Sequence, residues 1–465
     1  MTIYTGVTSP ISSTSSDPFK GKTKREIMIE IGQDIGDQFW EDDIGFDVTL
    51  DLNSKKSRQL VDKILLNFRD QINSKYLNLY KKQLRIILAN LVSVNSINKD
   101  LYIFYSRDRG YYKKSNRYNP NNVSYRPLIF LIDNLKKHGW IKHITFKFNK
   151  ETETGKRSRM HPSNKLIQAF KDYEITSKYL YRKQMDCIRL KDTKKKFKEY
   201  EDNSVTRSMR AKLHNYNNLL NRTNIKLTRN KKVSNYLEIK PTNFNNKEYH
   251  RIFNDGSFEL GGRFYGPWWV TLSKDIRKYI TINNNKTVEL DYSSLNIHLL
   301  YSEEGLNYYD LNDNTADPYT LKEVNIDERD INKLIITIAL NITDKSKFVY
   351  AVKEGIEEEN DKNYSLGKKK VLKVLYAKEI WRRIRLFEKE NDPIKHHLFT
   401  GVGKRLQFKD SCIAESIIEN MVHNNIPILA IHDSFIVQQR NKGGLHKLMD
   451  NIFRSFKLKS VPKIK

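Results

Sequence analysis

The chain has 465 residues and carries 83 Lys and Arg against 55 Asp and Glu, a formal charge of +28. With 38% hydrophobic and 11% aromatic residues, a wholly disordered chain is excluded and roughly two to four domains are expected. Charge of that sign and size points to a polyanionic partner, nucleic acid first; the alternative source is coding bias, visible in the many Asn, Lys, Ile and Tyr residues.

Two cysteines, Cys187 and Cys412, exclude a disulfide framework and a Cys-based zinc cluster. The start of the chain lacks an apolar core of signal-peptide length, and no run approaches the ~18 apolar residues of a membrane span. A soluble, cytoplasmic protein with no membrane partner is expected.

Residues 1–50, opening rich in Ser, Thr and Pro, read as a mostly flexible tail. Residues 51–180 read as a helical, nucleic-acid-binding domain. SRQLVDKILLNFRDQI and LYKKQLRIILANLVSVNSI place apolar residues at helix spacing. A third helix is expected over about Tyr125–Lys137, stopped by Gly139, followed by an alternating strand over Trp140–Phe148 and a polar tip, NKETETG. This helix–strand–wing–strand order resembles a winged helix-turn-helix. It implies duplex DNA binding, with Arg126 on the helix and Lys156, Arg157 and Arg159 on phosphates; the alternative is the same fold used only for packing.

Residues 181–245 read as a basic, thumb-like helical connector, with YLYRKQMDCIRLKDTKKKFKEYED as a solvated or phosphate-contacting face. RSMRAKLHNYNNLLNRTNIKLT reads as a helix and short strand, and the Asn-rich KPTNFNNKEYH as a linker.

Residues 246–465 carry the chemistry. TVEL ends in Asp291 just before a helical pattern, so a rigid strand end offers a carboxylate. IPILAIHDSFIVQ reads as a hairpin with His432-Asp433-Ser434 at its tip, able to bring Asp433 beside Asp291. Adjacent carboxylates repel unless a cation lies between them, and Mg²⁺ (or Mn²⁺) accepts such oxygen ligands. Between these segments Arg329 and Lys333 stand four apart on a helix, a spacing suited to phosphates.

The order Asp-bearing strand, Arg-x-x-x-Lys helix, His-Asp hairpin resembles motifs A, B and C of family A DNA polymerases and phage-type single-subunit RNA polymerases. LDYSSLNIH is similar to motif A and IHDSF to motif C. GGRFYGPWW is similar to the Arg-Gly-Arg-x-Tyr segment before motif A, and GVGKRLQFKDSCIAESIIENMV to the Gln-bearing helix before motif C. The resemblance covers roughly residues 251–439, and a winged helix joined to such a core also resembles replication proteins of mobile elements.

The fold class implied is α+β: a helical and winged-helix N-terminal region and a polymerase-like palm with reduced fingers. By resemblance, Asp291, Asp433 and the backbone carbonyl of Tyr292 hold two Mg²⁺ ions. Arg329, Lys333, Asn296 and Asn341 meet the incoming dNTP or NTP, and Arg263, Tyr265, Gln407 and His432 meet the DNA primer–template. Asn296 at the sugar position favours dNTPs; the HDSF form of motif C leans towards RNA synthesis.

The sequence departs from the pattern where Asn341 and Ile342 replace an aromatic and a Gly. The departure motivates a second reading, a replication initiator with a degenerate palm. A third is an RNase-H-like nuclease. His396-His397 and His423 match no zinc spacing and read as solvated or capping; Trp268 and Trp269 read as core and Cys412 as a buried small hydrophobe.

Overall fold

The computed structural model describes residues 43–112, 117–145, 157–240, 242, 244, 246–313, 316–365 and 371–465, the side chains of 362, 364 and 365 excepted. It mixes helices and strands in two compact units, the described residues 43–112 with 119–183 and residues 117–118 with those from 184 on. Residues 1–42 and the expected wing tip with Lys156 lie outside the described residues.

The first unit contains β1 (Ile44–Gly45), β2 (Leu50–Leu52), α1 (Lys55–Leu65), α2 (Leu77–Ile97), β3 (Ile103–Tyr105), α3 (Tyr125–Lys137), β4 (Ile141–Ile144), β5 (Ser158–Pro162), α4 (Asn164–Asp172) and β6 (Leu180–Arg182). A four-stranded sheet runs β1-β3-β5-β4, and β2 pairs with β6. Residues 43–50, expected in the tail, thus join the folded unit.

Local chemistry sets the helix ends. Ser54 and Ser57 form a reciprocal capping box at α1. Gly139 takes φ +71°, and the Gly139 and Trp140 amides donate back to Lys136 (3.0 Å) and Leu135 (2.8 Å), a Schellman end that turns the chain into β4. Leu84, Ile87, Leu88 and Leu91 of α2 are fully buried, as their spacing requires.

The expected order of helix α3 and hairpin β4–β5 is present. Arg159, however, does not face phosphates. Its Nε donates to Asp43 Oδ2 at 2.7 Å, and both side chains are buried (8% and 0% exposed). β5 pairs on both edges, which draws its residues inward.

The second unit contains β7 (Ile188–Leu190), α5 (Ser204–Arg222), β8 (Ile225–Leu227), β9 (His250–Asn254), β10 (Ser257–Tyr265), β11 (Ile280–Ile282), β12 (Asn285–Asp291), α6 (Leu295–Glu303), α7 (Arg329–Asn341), α8 (Phe348–Ser365), α9 (Ala377–Glu390), α10 (Gly403–His423), β13 (Leu429–Ile431), β14 (Ser434–Gln438) and α11 (Lys442–Ser455). An antiparallel sheet runs β13-β14-β12-β11-β8; a smaller one runs β10-β9-β7.

Residues 181–245 are not a separate connector. From Gln184 they belong to this unit: β7 pairs with β9, β8 closes an edge of the larger sheet, and α5 packs on α10. The basic run is not a helix face either. Asp192 Oδ1 accepts the Lys194 and Lys196 amides at 2.9 and 2.8 Å, a side-chain-to-backbone turn that competes with helix. Residues of the expected Asn-rich linker also pack within the unit, the Trp268 amide donating to the Asn246 carbonyl at 3.0 Å.

The β10–α10 contact is close because Gly262, at φ +77°, has no side chain; a Cβ there would lie 2.9 Å from Ser411 Oγ.

Removing Arg159 takes away the guanidinium that faces the buried Asp43 carboxylate. Arg159→Ala should lower stability by about 3–5 kcal/mol in equilibrium denaturation, while Arg157→Ala at the exposed neighbouring position leaves the midpoint unchanged.

Candidate active site

Side chains alternate along a strand, so Glu289 and Asp291 share one face of β12 while Leu290, 2% exposed, faces the core. In the pairing with β14, Asp291 stands opposite Ser434 and Glu289 opposite Ile436. Asp433 precedes Ser434 at the hairpin tip, and the Tyr292 amide reaches the Asp433 carbonyl at 3.4 Å. The register thus brings the backbone of Asp433 beside Asp291, near enough for the charge of Asp433 to act on the Asp291 carboxyl.

Both turns are held in left-handed backbone by non-glycine residues: Ser294 at φ +54°, before α6, and His432 at φ +58°, in the hairpin. Such conformations cost energy and persist where surrounding structure enforces them.

Burial, then the charge of Asp433, pushes the Asp291 carboxyl up to about 6, against the pull of Lys274 and Lys333. Lys274, on the one-turn helix Lys274–Arg277, lies 3.8 Å from Asp291. Among the described residues Asp433 has no side-chain hydrogen bond or ion pair.

Two further carboxylates adjoin. Glu289 is held by the fork of Arg277 (3.0 and 2.6 Å) and accepts from Ser434 Oγ at 2.6 Å. Asp410 of α10, 1% exposed, accepts from Arg263 Nε at 2.7 Å. Burial pushes its carboxyl up, Arg263 opposes this, and Asp433 and Asp291 add to the rise. The set divides into two carboxylates neutralised by arginines and two that are not.

Arg263 and Tyr265 of β10 come together with His432 here. The Tyr265 and His432 rings meet edge-on at 5.6 Å. Burial, then Arg263, lowers His432 to about 4, so it is neutral near pH 7; its Nδ1 is buried with no hydrogen-bond partner. Gln407 is half-buried one turn before Asp410 on α10. The Tyr292 hydroxyl donates to the Met449 carbonyl at 2.6 Å, so its side chain leaves the site and only its backbone stays.

Lys333 is exposed on α7, has no ion-pair partner among the described residues, and acts electrostatically on Asp291. Arg329, one turn earlier, is engaged: Nε donates to Asp317 at 2.9 Å and NH1 to Asp330 at 3.3 Å. Asn296 is half-buried at the second position of α6.

Asn341 is exposed. It ends α7, about 12 Å of helical rise beyond Lys333. Its Nδ2 donates to Thr337 O at 2.7 Å, and a Cβ on Gly403 would lie 2.0 Å from its Oδ1. Its exposed side chain lies against Gly403 at the start of α10.

Sequence reasoning missed Asp410, Glu289, Arg277 and Lys274. Asp410 had a signal: it falls in the helical stripe Leu406, Ile413, Ile417, whose other members are fully buried. A carboxylate in that stripe requires a partner. Glu289 sits two residues before Asp291, on its face.

In the first unit Arg126 is exposed in the first turn of α3. Arg157 is exposed, its guanidinium 5.3 and 5.5 Å from the Phe104 and Tyr111 rings. Trp268 and Trp269 are buried, as read, whereas Cys412 is only half-buried. Glu304 Oε1 lies 3.2 Å from His396 Nε2 and 2.8 Å from His397 Nε2, three ligand atoms close enough together to share a metal ion. No helix among the described residues is long and apolar enough to cross a membrane. No protein-family model matches the chain, and no curated protein is similar to it in sequence.

The raised Asp291 carboxyl fixes a sign. A folded-state value above the ordinary aspartate value means the folded chain binds that proton more tightly, so stability is lost as pH rises from about 3.8 through about 6. Asp291→Asn removes the repulsion. In chelator-containing buffer it should raise the melting temperature relative to the unsubstituted chain at pH 8, and the gain should shrink towards pH 4.5.

Proposed function

We propose that this chain is a template-dependent nucleotidyltransferase, a compact DNA polymerase of a mobile element, phage or plasmid. The observation that supports the reading is the β12–β14 register, which pairs Asp291 with Ser434, the residue after Asp433, while arginines occupy the acidic neighbours Glu289 and Asp410. That leaves two hard oxygen donors close together with Lys274 the nearest cation to Asp291. Such a donor set fits Mg²⁺ or Mn²⁺ better than softer metals.

Asp291, Asp433 and the Tyr292 carbonyl would hold the ions. Bound there, they would supply Lewis-acid activation of a primer 3′-hydroxyl and charge stabilisation of the pyrophosphate leaving group. Lys333 offers an unpaired ammonium to the triphosphate. Arg263, fixed by Asp410, and Tyr265 with neutral His432 form the side on which a primer–template duplex is expected, with Gln407 on the adjoining helix. Asn296 meets the sugar and favours dNTPs over NTPs.

One observation favours a second reading, an initiator with a degenerate palm. Arg329 is tied to Asp317 and Asp330, and Asn341 stands where the resembled motif has an aromatic, with its amide donated to Thr337 of its own helix. Of the four expected nucleotide contacts, Arg329 is thus committed within the fold.

Extension of a labelled primer–template by the purified chain with Mg²⁺ separates the two. Synthesis should occur with dNTPs. Asp291→Ala and Asp433→Ala should each reduce it by at least about 100-fold, the several kcal/mol that a metal site contributes, with duplex binding retained. Equal synthesis by both variants sinks the catalytic assignment. No synthesis by the unsubstituted chain, with DNA still bound, favours the initiator.

A further inference from the structure

The first unit has a basic, aromatic cavity. Its volume is about 560 Å³, and it opens between the start of α2, the single turn Arg109–Tyr112 and the start of α3. Tyr76, Tyr80, Tyr112 and Tyr125 line it, with Arg109 and Arg126.

The arginines distinguish it. Seven of the nine described arginines of this unit are committed. Arg58 and Arg69 hydrogen-bond to Asn53 and to the Ile72 carbonyl. Arg85, Arg107, Arg159 and Arg182 pair with carboxylates, and Arg157 lies over aromatic rings. The two with no hydrogen bond, ion pair or ring partner among the described residues are Arg109 and Arg126, and both line this cavity. Even adjacent Asp108 directs Oδ1 to the Gly110 amide, at 2.8 Å.

The rings are partly fixed and partly open. The Tyr112 hydroxyl donates to the Ser106 carbonyl at 2.8 Å, and Tyr80 packs edge-on against Phe130 at 5.3 Å. Tyr76 is 48% exposed. Rigid and exposed rings beside unpaired guanidiniums match the two halves of a nucleotide, a flat base and a phosphate. The volume is within the ~300–1,000 Å³ of small-ligand sites, enough for a nucleotide and too small for a duplex. A paired base keeps its faces stacked and cannot offer them to tyrosine.

We infer that this cavity binds a nucleotide unit of single-stranded nucleic acid, the base on the tyrosine rings and the phosphates at Arg109 and Arg126. This gives Arg126 a different partner from the duplex expected of it. The inference rests on the first unit alone and stands whether or not the chain synthesises nucleic acid.

The test is fluorescence anisotropy of labelled oligo(dT) and of a blunt hairpin duplex with the full chain in EDTA, where no synthesis occurs. Arg109→Ala combined with Arg126→Ala should weaken oligo(dT) binding about tenfold and make its salt dependence shallower by roughly 1 to 1.5 logarithmic units per decade. Tyr76→Ala should weaken it by a similar factor, Tyr76→Phe should bind as the unsubstituted chain does, and duplex binding should not change. Unchanged oligo(dT) affinity in both alanine variants overturns the site. Equal weakening for duplex and single strand, with Tyr76→Ala silent, overturns the single-strand assignment. A bromodeoxyuridine oligonucleotide supplies a second readout: photocrosslinks should map to Tyr76 or Tyr125, and crosslinks confined to residues beyond 184 count against the proposal.

Discussion

Everything proposed for the second unit depends on one backbone register, Asp291 opposite Ser434. Strand side chains alternate with a period of two, so a slip of one residue would turn Asp291 into the core and bring Leu290 out. The register is secured by burial: Leu290, Phe435, Ile436 and Val437 are each at most 2% exposed. The hydrophobic core thereby forces two carboxylates together at the strand ends, where they raise each other's energy. The site is the place where the sheet tolerates this repulsion.

The surroundings limit that cost selectively. Arg277 and Arg263 neutralise the flanking Glu289 and Asp410 and leave the central pair without an arginine, Lys274 lying 3.8 Å from Asp291. Had all four carboxylates been paired, no site would remain for a cation; had none been, the local repulsion would be far larger. α10 matters here beyond packing. It delivers Asp410 to Arg263, and its approach to β10 depends on Gly262. The left-handed turns at Ser294 and His432 place the strain at both ends of the same junction.

The first unit uses its charge differently. Most of its arginines are tied into the fold, Arg159 to a fully buried Asp43. Net charge alone therefore overstates how much basic surface faces a polyanion. What distinguishes one surface from another is which guanidiniums lack partners, and here those two converge on tyrosines.

The sequence by itself determined the elements that chemistry marks locally. The helix over Tyr125–Lys137 followed from periodicity and Gly139, the strand ending at Asp291 from an apolar run before a helical pattern, and the hairpin around Asp433 from two apolar runs flanking a polar tip. The spacing of Arg329 and Lys333 was legible because helical period is a property of sequence. Tertiary structure alone decided which charges are available. Arg159 and Arg126 look alike in the chain, yet one is buried against Asp43 and the other faces a cavity. Asn341 lies against Gly403 because α10 begins there, and Asp410 joined the site through a contact 147 residues away in sequence. Local patterns report a residue's own backbone and face; partners distant in the chain set its charge, burial and reach, and only the folded chain brings those partners together.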